Sequence, residues 1–456
     1  MNRRTLLKAM PLSMAQPARP AAARLPNIVL IYADDLGFGD LGCYGSRIRT
    51  PNLDAMAREG VLFRQFCSAS SVCSPSRAAL LTGRYGVRTG VPTVLSPQDT
   101  TGLAEGETTI AQMLKPAGYQ TMCVGKWHLG STPRLLPQNR GFDEYYGIPY
   151  SNDQEPSVLL HNADVIESPV QLDTLTRRYT EQAINFIRRS KDSPFFLYTP
   201  HTFPHIPLAA SPAFRGKSAM GLYGDTIEEL DWSVGQIIQE LAANDLTNNT
   251  LVVFSSDNGP WFQGSPGRLR GRKGDTFEGG IREPFIAKLP GRIPSGRMIR
   301  GFASTLDILP TLARLTNSAL PSQPVDGVDI WPMLSGEADN VDRPMFLYFN
   351  YWDLQCVRLG RWKLHVARHN VPAFTPEPKV GTFNLPLLFP ELYDLESDPG
   401  ESADLAEENP EIVADLVARL EQLIPTLPAE VQRAWADTRR RKVYPNTSGA
   451  WPIPIL

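Results

Sequence analysis

The feature that most constrains the fold is a short apolar segment that ends in a cluster of polar residues and recurs along the chain. The segments are short enough for buried strands, and each leads directly into polar or catalytic residue types. They are Asn27 to Ala33 before Asp34-Asp35, Gln120 to Val124 before Gly125–His128, Phe195 to Thr199 before His201 and His205, and Leu251 to Ser255 before Asp257-Asn258.

Helical spacing of apolar residues separates these segments. It occurs around Ile110 to Leu114, over Ile227 to Leu241 and over Leu306 to Leu315. Alternating strands and helices predict an α/β fold whose large, mainly parallel sheet is sandwiched by helices. In such sheets the site lies beyond the carboxyl ends of the strands, which is where the polar clusters follow.

The pattern changes after about residue 340. Met345 to Tyr351, Cys356 to Leu359 and Trp362 to Val366 predict short strands in a region of hairpins. Asn409 and Pro410 then supply an N-cap and a first-turn proline for an amphipathic helix. We therefore predict a catalytic domain over residues 25–340 and a smaller α+β domain over 341–456, after a tail of residues 1–24.

Composition excludes several classes of protein. The 456 residues carry a formal net charge of −3, so no basic surplus indicates nucleic-acid binding. No apolar run reaches the roughly 20 residues needed to span a bilayer. The five cysteines fit no zinc-binding spacing, and their odd number leaves at least one thiol unpaired.

The N-terminus resembles a twin-arginine export signal over Asn2 to Lys8. Ala21 to Ala23 supply small residues for a cleavage site, although the apolar stretch is short and Pro11 interrupts it. We expect export to the periplasm or the medium. The alternative is a basic tail on a cytoplasmic protein.

The segment Cys73-Ser74-Pro75-Ser76-Arg77 precedes a short helical pattern. Cys73 would lie at the helix N-terminus, where free amides and the helix dipole favour an anion. Arg77, about one turn further on, would add a guanidinium. Taken alone, the segment fits a buried cysteine before a capped helix equally well.

Oxygen ligands follow two of the predicted strands. Asp34-Asp35 and Asp257-Asn258 together offer an all-oxygen set, which favours Ca²⁺ or Mg²⁺ over zinc. Asp34-Asp35 alone would more often be a solvated turn, so the metal site depends on both pairs.

Five segments, in this order, resemble the sulfatase family. The resemblance runs from Pro26 to about Leu289, and the C-terminal part matches only loosely. It rests on Tyr32–Gly42, Cys73–Arg77, Gly125–Gly130, Ser256–Pro260, and the pair Gly271–Gly274 and Glu278–Pro284. It implies an alkaline phosphatase-like fold, calcium rather than Mg²⁺, and oxidation of Cys73 to formylglycine by a formylglycine-generating enzyme.

The resemblance also assigns roles. Arg77, Lys126 and Lys273 would bind the sulfate group, with Ser151 beside them. His128 and His205 would transfer protons, and His205 fits the family segment better than His201 does. The metal ligands would be Asp34, Asp35, residue 73, Asp257 and Asn258. From the residues alone, a lysine and a histidine two positions apart would point the same way from an extended segment.

The implied reaction begins with the hydrated aldehyde at residue 73. One hydroxyl, losing its proton to Asp257, attacks sulfur, and the alcohol leaves with help from His205 or Lys273. His128 then removes the proton of the second hydroxyl, and sulfate is expelled. A thiol or serine lacks that second hydroxyl, which is the physical reason for the modification.

Two rival functions are a phosphonate or phosphate ester hydrolase on the same scaffold and a calcium-bound, anion-binding protein without turnover. The acid–base set of Lys126, His128, His205 and Lys273 disfavours a mere binder. The substrate is expected to be an aryl or carbohydrate sulfate ester. Its leaving group would contact loops such as Val91 to Thr101, Asn152 to Leu172, Pro260 to Arg270 and the residues near Tyr351-Trp352. The aromatic residues of these loops either stack on a ring or pack at a domain interface; they are Trp261, Phe262, Tyr351 and Trp352.

Overall fold

The computed structural model describes residues 24–374 and 381–441, together with the backbone of two short strands beyond them. The strands are β1 Asn27–Ala33, β2 Val61–Cys67, β3 Gln120–Val124, β4 Glu144–Gly147, β5 Leu159–His161, β6 Asp164–Glu167, β7 Phe195–Pro200, β8 Thr250–Ser256, β9 Arg282–Lys288, β10 Arg297–Ser304, β11 Phe346–Asn350, β12 Asp353–Leu359, β13 Trp362–His369, β14 Asn384–Asp394, β15 Val443–Tyr444 and β16 Ile453–Pro454.

The helices lie between these strands and at the end of the chain. They are α1 Pro51–Glu59, α2 Cys73–Thr82, α3 Ile110–Leu114, α4 Leu175–Ser190, α5 Gly221–Ala243, α6 Glu278–Ile281, α7 Ile308–Thr316, α8 Trp331–Ser335, α9 Pro410–Leu423 and α10 Ala429–Arg440. The four strands and the helices that the sequence predicts before residue 340 are present, within a few residues of their predicted ends.

Ten strands form one sheet in the order β10-β2-β9-β8-β1-β7-β3-β4-β5-β6. The central run β8-β1-β7-β3-β4 is parallel throughout. β9 runs antiparallel to both of its neighbours, and β5 and β6 add antiparallel strands at one edge. The prediction of a large, mainly parallel sheet is confirmed, and the antiparallel strands are features that the sequence pattern did not reveal.

Helices cover both faces of this sheet, because alternate residues of each central strand enter opposite cores. Ile28 and Leu30 of β1 pack in one core with Leu80 of α2 and Leu309 of α7. Val29 and Ile31 pack in the other with the apolar faces of α4 and α5, which Tyr179 and Ile227 represent. Both faces are thus dry, and the polar residues after the strands are confined to one end of the sheet.

The C-terminal region forms a second, antiparallel sheet in the order β11-β12-β13-β14. Its apolar face packs with α9 and α10 in a third core that also contains Ala79 of α2 and Ile281 of α6. This confirms the smaller α+β unit. The predicted N-cap was wrong in one respect: the Asn409 side chain donates to Leu405 O at 3.0 Å and caps nothing in α9.

Two expectations from composition can be set against the described residues. All five cysteines are free thiols. Among the helices in the described ranges, none combines the length and the apolarity that a bilayer span would require. The predicted export signal lies in residues 1–23, outside the described residues.

Candidate active site

The polar clusters converge because their strands are neighbours in the parallel part of the sheet. Asp34 follows β1 and Asp257 follows β8, and these strands pair in register up to Ala33 and Ser256. Lys126 follows β3 on the other side of β7. Backbone bonds hold the segments together: Lys126 N donates to Pro200 O at 2.7 Å, and Asp257 N donates to Ala33 O at 3.3 Å.

Cys73 is the first residue of α2, as predicted. It is 1% exposed, and the residue before it is extended and offers no side-chain cap. Burial raises the pKa of the Cys73 thiol to about 12, although the charges of Lys126 and Lys273 oppose that rise. An unmodified Cys73 is therefore a thiol at neutral pH and a poor nucleophile, because reactivity belongs to the thiolate.

Three cationic side chains surround this helix end, and each is paired with a carboxylate. Arg77 donates from Nε and Nη2 to Asp257 Oδ2 at 3.0 and 2.7 Å. Lys126 Nζ lies 2.5 Å from Asp34 Oδ2 and donates to Ser151 Oγ at 3.0 Å. These pairs place Ser151 beside the cations, where the sequence predicted it.

Lys273 completes the set from a different segment. Its Nζ lies 2.7 Å from Asp35 Oδ1. Burial lowers the pKa of Lys273, but Asp35 outweighs it and holds the pKa above its usual value. Lys273 is therefore a fixed positive charge in the site. Lys273, to which the resemblance assigns sulfate binding, is the residue of its loop whose side chain reaches Asp35.

Two oxygen atoms of the predicted metal ligands have no partner. Asp34 Oδ1 and Asn258 Oδ1 are buried, and neither accepts a hydrogen bond from any residue that the structure describes. Leaving such atoms unpaired costs free energy, which a cation would recover. Asn258 donates from Nδ2 to Asp35 Oδ1 at 2.7 Å, so its carbonyl oxygen is directed elsewhere.

The donor set fits a hard divalent cation. Ligand atoms of Asp34, Asp35, Cys73 and His205 lie within 4.8 Å of one another. Asp257 adjoins this group, since its Oδ1 accepts from Asp35 N at 3.1 Å. A mainly carboxylate and amide set matches Ca²⁺ or Mg²⁺. His205 is a neighbour that the sequence did not place near the metal ligands.

The clustered carboxylates differ in their affinity for protons. Burial would raise the pKa of Asp34, but the charges of Lys126 and Arg77 outweigh it and lower the pKa. Burial and the negative charge of Asp34 raise the pKa of Asp257 to about 7, against the opposing effect of Arg77. Asp257 is thus the carboxylate better able to accept a proton near neutral pH.

His128 is held as a neutral base. Its Nε2 lies 2.8 Å from Leu95 O, so Nε2 carries the proton and Nδ1 keeps a free lone pair. Nδ1 is buried and has no partner within the described ranges. Burial, with the charge of Lys126, lowers the pKa of His128 well below its usual value. The residue has φ 57°, so the predicted extended geometry was wrong here although both side chains reach the site.

His205 lies in the cluster and His201 does not. His205 Nε2 is 3.7 Å from Asp35 Oδ2, and its Nδ1 lies 2.5 Å from Ile206 O. His201 packs instead beneath the site, with Nε2 3.4 Å from Ser233 Oγ of α5. Burial, with the charge of Lys273, lowers the pKa of His205. The choice of His205 over His201 thus agrees with the geometry.

Among the residues predicted to contact the leaving group, Trp261 and Phe262 lie near Lys273. Trp261 and Phe262 pack edge to face, with ring centroids 4.8 Å apart, beside a cavity of about 150 Å³ that Lys273 also lines. Phe374, which sequence reasoning missed, joins them at 4.5 Å from Trp261. Tyr351 stacks instead on His369, at 6.3 Å.

Gln154 is a second residue that the sequence analysis missed. Its Oε1 accepts from Ser151 N at 3.0 Å, and its Nε2 donates to Leu95 O at 3.0 Å. Leu95 O is also the partner of His128. Gln154 therefore ties Ser151 to the carbonyl that fixes the histidine. Only its position three residues after Ser151, within a predicted leaving-group loop, hinted at this.

The fold and the site together define a hydrolase with an alkaline phosphatase-like fold, whose buried arginine and lysines suit a small anionic group. The sulfatase family profile matches residues 26–318, and a profile for the C-terminal region of aryl-sulfatase matches residues 340–452. The chain belongs to the sulfatase family, and it is a sulfuric ester hydrolase.

Individual relatives agree with this assignment. Human arylsulfatase A is 39% identical, over 92% of this chain and 93% of its own length. N-acetylgalactosamine-6-sulfatase of Canis lupus familiaris is 40% identical, over 87% and 84%. Among solved structures, a Bacteroides thetaiotaomicron protein from work on glycosaminoglycan metabolism has a TM-score of 0.79 and 30% identity, covering 88% of this chain and 99% of its own.

A phosphonate monoester hydrolase of Agrobacterium radiobacter shares the fold with a TM-score of 0.61, over 94% of this chain and 100% of its own. Its 20% identity is a likeness of fold alone. The sulfatase relatives are markedly more similar in sequence, so the comparisons do not favour the phosphonate alternative.

Proposed function

We propose that the chain hydrolyses aryl or carbohydrate sulfate esters by a formylglycine mechanism, with Cys73 as the precursor of the reacting group. The observation that carries the proposal is the burial of Cys73 at a helix N-terminus between Arg77, Lys126 and Lys273. Three fixed cations suit a compact sulfate group. The raised pKa of the thiol disfavours Cys73 itself as nucleophile.

The hydrated aldehyde of formylglycine would supply two hydroxyl groups, one to attack sulfur and one to release sulfate afterwards. Asp257 is the acceptor for the first proton, because its raised pKa makes it basic near neutral pH. His128 is the acceptor for the second, because it is neutral with an unpaired Nδ1. The two protons thus have different acceptors, from two different strand ends.

Arg77, Lys126 and Lys273 would hold the sulfate oxygens, and Ser151 would add a hydroxyl donor. The negative charge that develops on the leaving oxygen needs a fixed positive group nearby. Lys273 fits this task better than His205 does, because Lys273 stays charged while burial keeps His205 neutral. At neutral pH, His205 would then orient the leaving group and accept a hydrogen bond, and it would not donate a proton to the leaving oxygen.

Asp34, Asp35, Asp257, Asn258 and residue 73 would hold a divalent cation, for which we propose Ca²⁺ over Mg²⁺. The bound ion would stabilise negative charge on the attacking oxygen. The two unpaired oxygens of Asp34 and Asn258 support a cation at this position. Calcium fits better because its coordination is flexible, whereas Mg²⁺ demands a near-ideal octahedron.

The test of the reaction class is a paired assay. We expect the purified, modified protein to hydrolyse 4-nitrophenyl sulfate with a kcat/KM at least about 100-fold above that for 4-nitrophenyl phenylphosphonate, on the scale of discrimination that positioned charges provide. A ratio near one, or one that favours the phosphonate, would replace the sulfatase proposal with the rival. A panel of sulfated sugars would then rank carbohydrate against aryl leaving groups.

The modification has its own test. Mass spectrometry of the tryptic peptide Gln65 to Arg77 distinguishes thiol from aldehyde at residue 73. Activity on sulfate esters should track the aldehyde fraction across preparations made with and without a formylglycine-generating enzyme. Full activity in a preparation that contains only the thiol would contradict the mechanism.

Export remains part of the proposal. The arginine pair Arg3-Arg4 supports a twin-arginine route to the periplasm or the medium. Fractionation of cells that express the full chain should find activity outside the cytoplasm, and Arg3→Lys with Arg4→Lys should retain it inside. Cytoplasmic activity of the unchanged chain would contradict export.

A further inference from the structure

The loop that carries Lys273 is fixed from both domains. We call residues 271–277 the Lys273 loop. On the catalytic side, Lys273 N donates to Pro260 O at 3.2 Å, and Gly274 N donates to Ser71 O at 2.8 Å. Ser71 lies two residues before Cys73. The loop is thus tied directly to the segment that presents the reacting residue.

The C-terminal sheet holds the same loop from the other side. Asn350, at the end of β11, donates from Nδ2 to Gly274 O at 2.8 Å. Lys363 Nζ donates to Thr276 O at 2.8 Å, and Thr276 Oγ1 donates to Gln355 Oε1 at 2.9 Å. Asn350, Gln355 and Lys363 are all buried. Loss of a partner to a buried carbonyl is costly, so these bonds restrict the loop strongly.

Packing leaves the loop little alternative. Gly274 has φ +85°, and a Cβ there would lie 2.6 Å from the Phe374 ring and 2.8 Å from Ala373 Cβ. The chain next to Lys273 is therefore pressed against C-terminal residues while Asn350 holds its carbonyl. Since Lys273 Nζ must reach Asp35 from this backbone, the C-terminal sheet helps to set the position of the ammonium group.

We propose that Asn350 is a positioning residue for sulfate ester hydrolysis, acting through Gly274 on Lys273. The inference rests on the proposed role of Lys273 at the sulfate group. Asn350 touches none of the reacting groups, and its amide donates across the domain boundary rather than within its own sheet. A displacement of about 1 Å in a charged group can lower a rate by about 100-fold. Loss of the bond from Asn350 to Gly274 O should therefore slow the reaction.

The test is a double-mutant cycle on the full-length, modified enzyme with 4-nitrophenyl sulfate. Asn350→Ala should lower kcat/KM by about 10- to 100-fold in the parent and by less than about 3-fold in the Lys273→Ala background. Non-additivity of this kind arises when one residue acts through the other. A merely structural role of Asn350 would lower kcat/KM equally in both backgrounds, and that result would overturn the proposal.

Asn409→Ala is the matched control. Asn409 is another amide of the C-terminal domain, half-buried, and its Nδ2 donates within that domain to Leu405 O at 3.0 Å. It should lower the melting temperature without coupling to Lys273. If Asn350→Ala does not fold, Gln355→Met removes the bond to Thr276 and should show the same coupling at smaller size. Additive losses there would overturn the proposal.

The role of Lys273 in the reaction and the positioning role of Asn350 can be refuted separately. Parent-like activity of Lys273→Ala would refute the role of Lys273 in the proposed function. A large loss in Lys273→Ala together with parent-like kcat/KM in Asn350→Ala would refute only the positioning role. Inhibition by inorganic sulfate provides a second readout, because misplacing Lys273 should weaken its Ki along with kcat/KM.

Discussion

Two buried charge clusters in this molecule have similar composition and different chemistry. The active-site cluster joins Asp34, Asp35 and Asp257 to Arg77, Lys126 and Lys273. The second cluster, which we call the interdomain cluster, lies between α6 and the C-terminal sheet and joins Glu278, Arg282, Lys363, His365 and Glu401. In the interdomain cluster each of the four carboxylate oxygens accepts a hydrogen bond.

The active-site cluster leaves ligand atoms free instead. Asp34 Oδ1, Asn258 Oδ1 and His128 Nδ1 are buried without partners in the described parts of the chain. Buried charge alone therefore does not mark a functional site, since both clusters have it. Unpaired acceptor atoms distinguish the active-site cluster from the interdomain cluster, whose carboxylate oxygens are all paired.

The largest expected effect is the loss of activity when the single thiol of Cys73 is removed. Cys73→Ala should lower kcat on 4-nitrophenyl sulfate by at least about 10⁴-fold, because the reacting group is lost while the fold is kept. Cys123→Ala is the control, since Cys123 is equally buried, in β3, and outside the site. It should keep its activity and lose about 1 kcal/mol of stability. Comparable activity in the two variants would contradict the proposed nucleophile.

Substitutions in the interdomain cluster should change the free energy of unfolding. Glu401→Gln breaks the pairing with His365 and Lys363 and leaves positive charge uncompensated in the interior. Breaking such a buried pair costs about 3–5 kcal/mol, measured as the free energy of unfolding in urea. The exposed Glu408→Gln should change it by less than about 0.5 kcal/mol. An equally small effect of Glu401→Gln would show that the cluster is not structural.

A pH titration separates the clusters further. Burial would lower the pKa of His365, but Cys356 and Glu401 outweigh it and raise the pKa to about 9. The folded state thus binds the proton more tightly than the unfolded state, whose pKa is about 6.5. The stabilisation, about 3 kcal/mol, is complete below pH 6.5 and is lost as the pH rises through 9. His365→Gln should flatten this slope in urea titrations, and an unchanged slope would exclude His365 as its source.

The smallest expected effect concerns the metal. Calcium at about 100 times its Kd should raise the free energy of unfolding by about 2.7 kcal/mol, because the proposed site exists only in the folded chain. Mg²⁺ should stabilise less, and chelator should reverse both effects. Asn258→Ala removes a ligand and should shrink the calcium shift in thermal unfolding. Equal shifts in that variant and the parent would place the ion elsewhere.

Local signals in the sequence predicted most of the active-site cluster, whereas Lys273 was identified only through the family resemblance. Asp34, Lys126 and Asp257 each follow a buried strand within two residues, and parallel neighbours bring such ends together. The interdomain cluster has no such signal. Glu278, Lys363 and Glu401 lie far apart in sequence, and each looks like an ordinary solvated charge until the two sheets pack.

The backbone conformation of two site residues also could not be predicted from the sequence. Asp35 and His128 adopt φ of 61° and 57°, which side chains other than glycine rarely do. Neither residue type signals this, because the surrounding hydrogen bonds and packing impose it. The antiparallel direction of β9 likewise could not be predicted, because its buried residues Phe285 to Lys288 fit a parallel strand equally well.

The burial of α2 has a consequence for the order of events in biosynthesis. All ten residues from Cys73 to Thr82 are buried, so no second protein can bind this segment once the chain has folded. On the proposed function, oxidation of Cys73 must then occur on the nascent or unfolded chain. Folding and oxidation of Cys73 then compete kinetically, and a molecule that folds before Cys73 is oxidised remains inactive. Slower synthesis or a lower temperature should therefore raise the active fraction of a preparation without changing its amount.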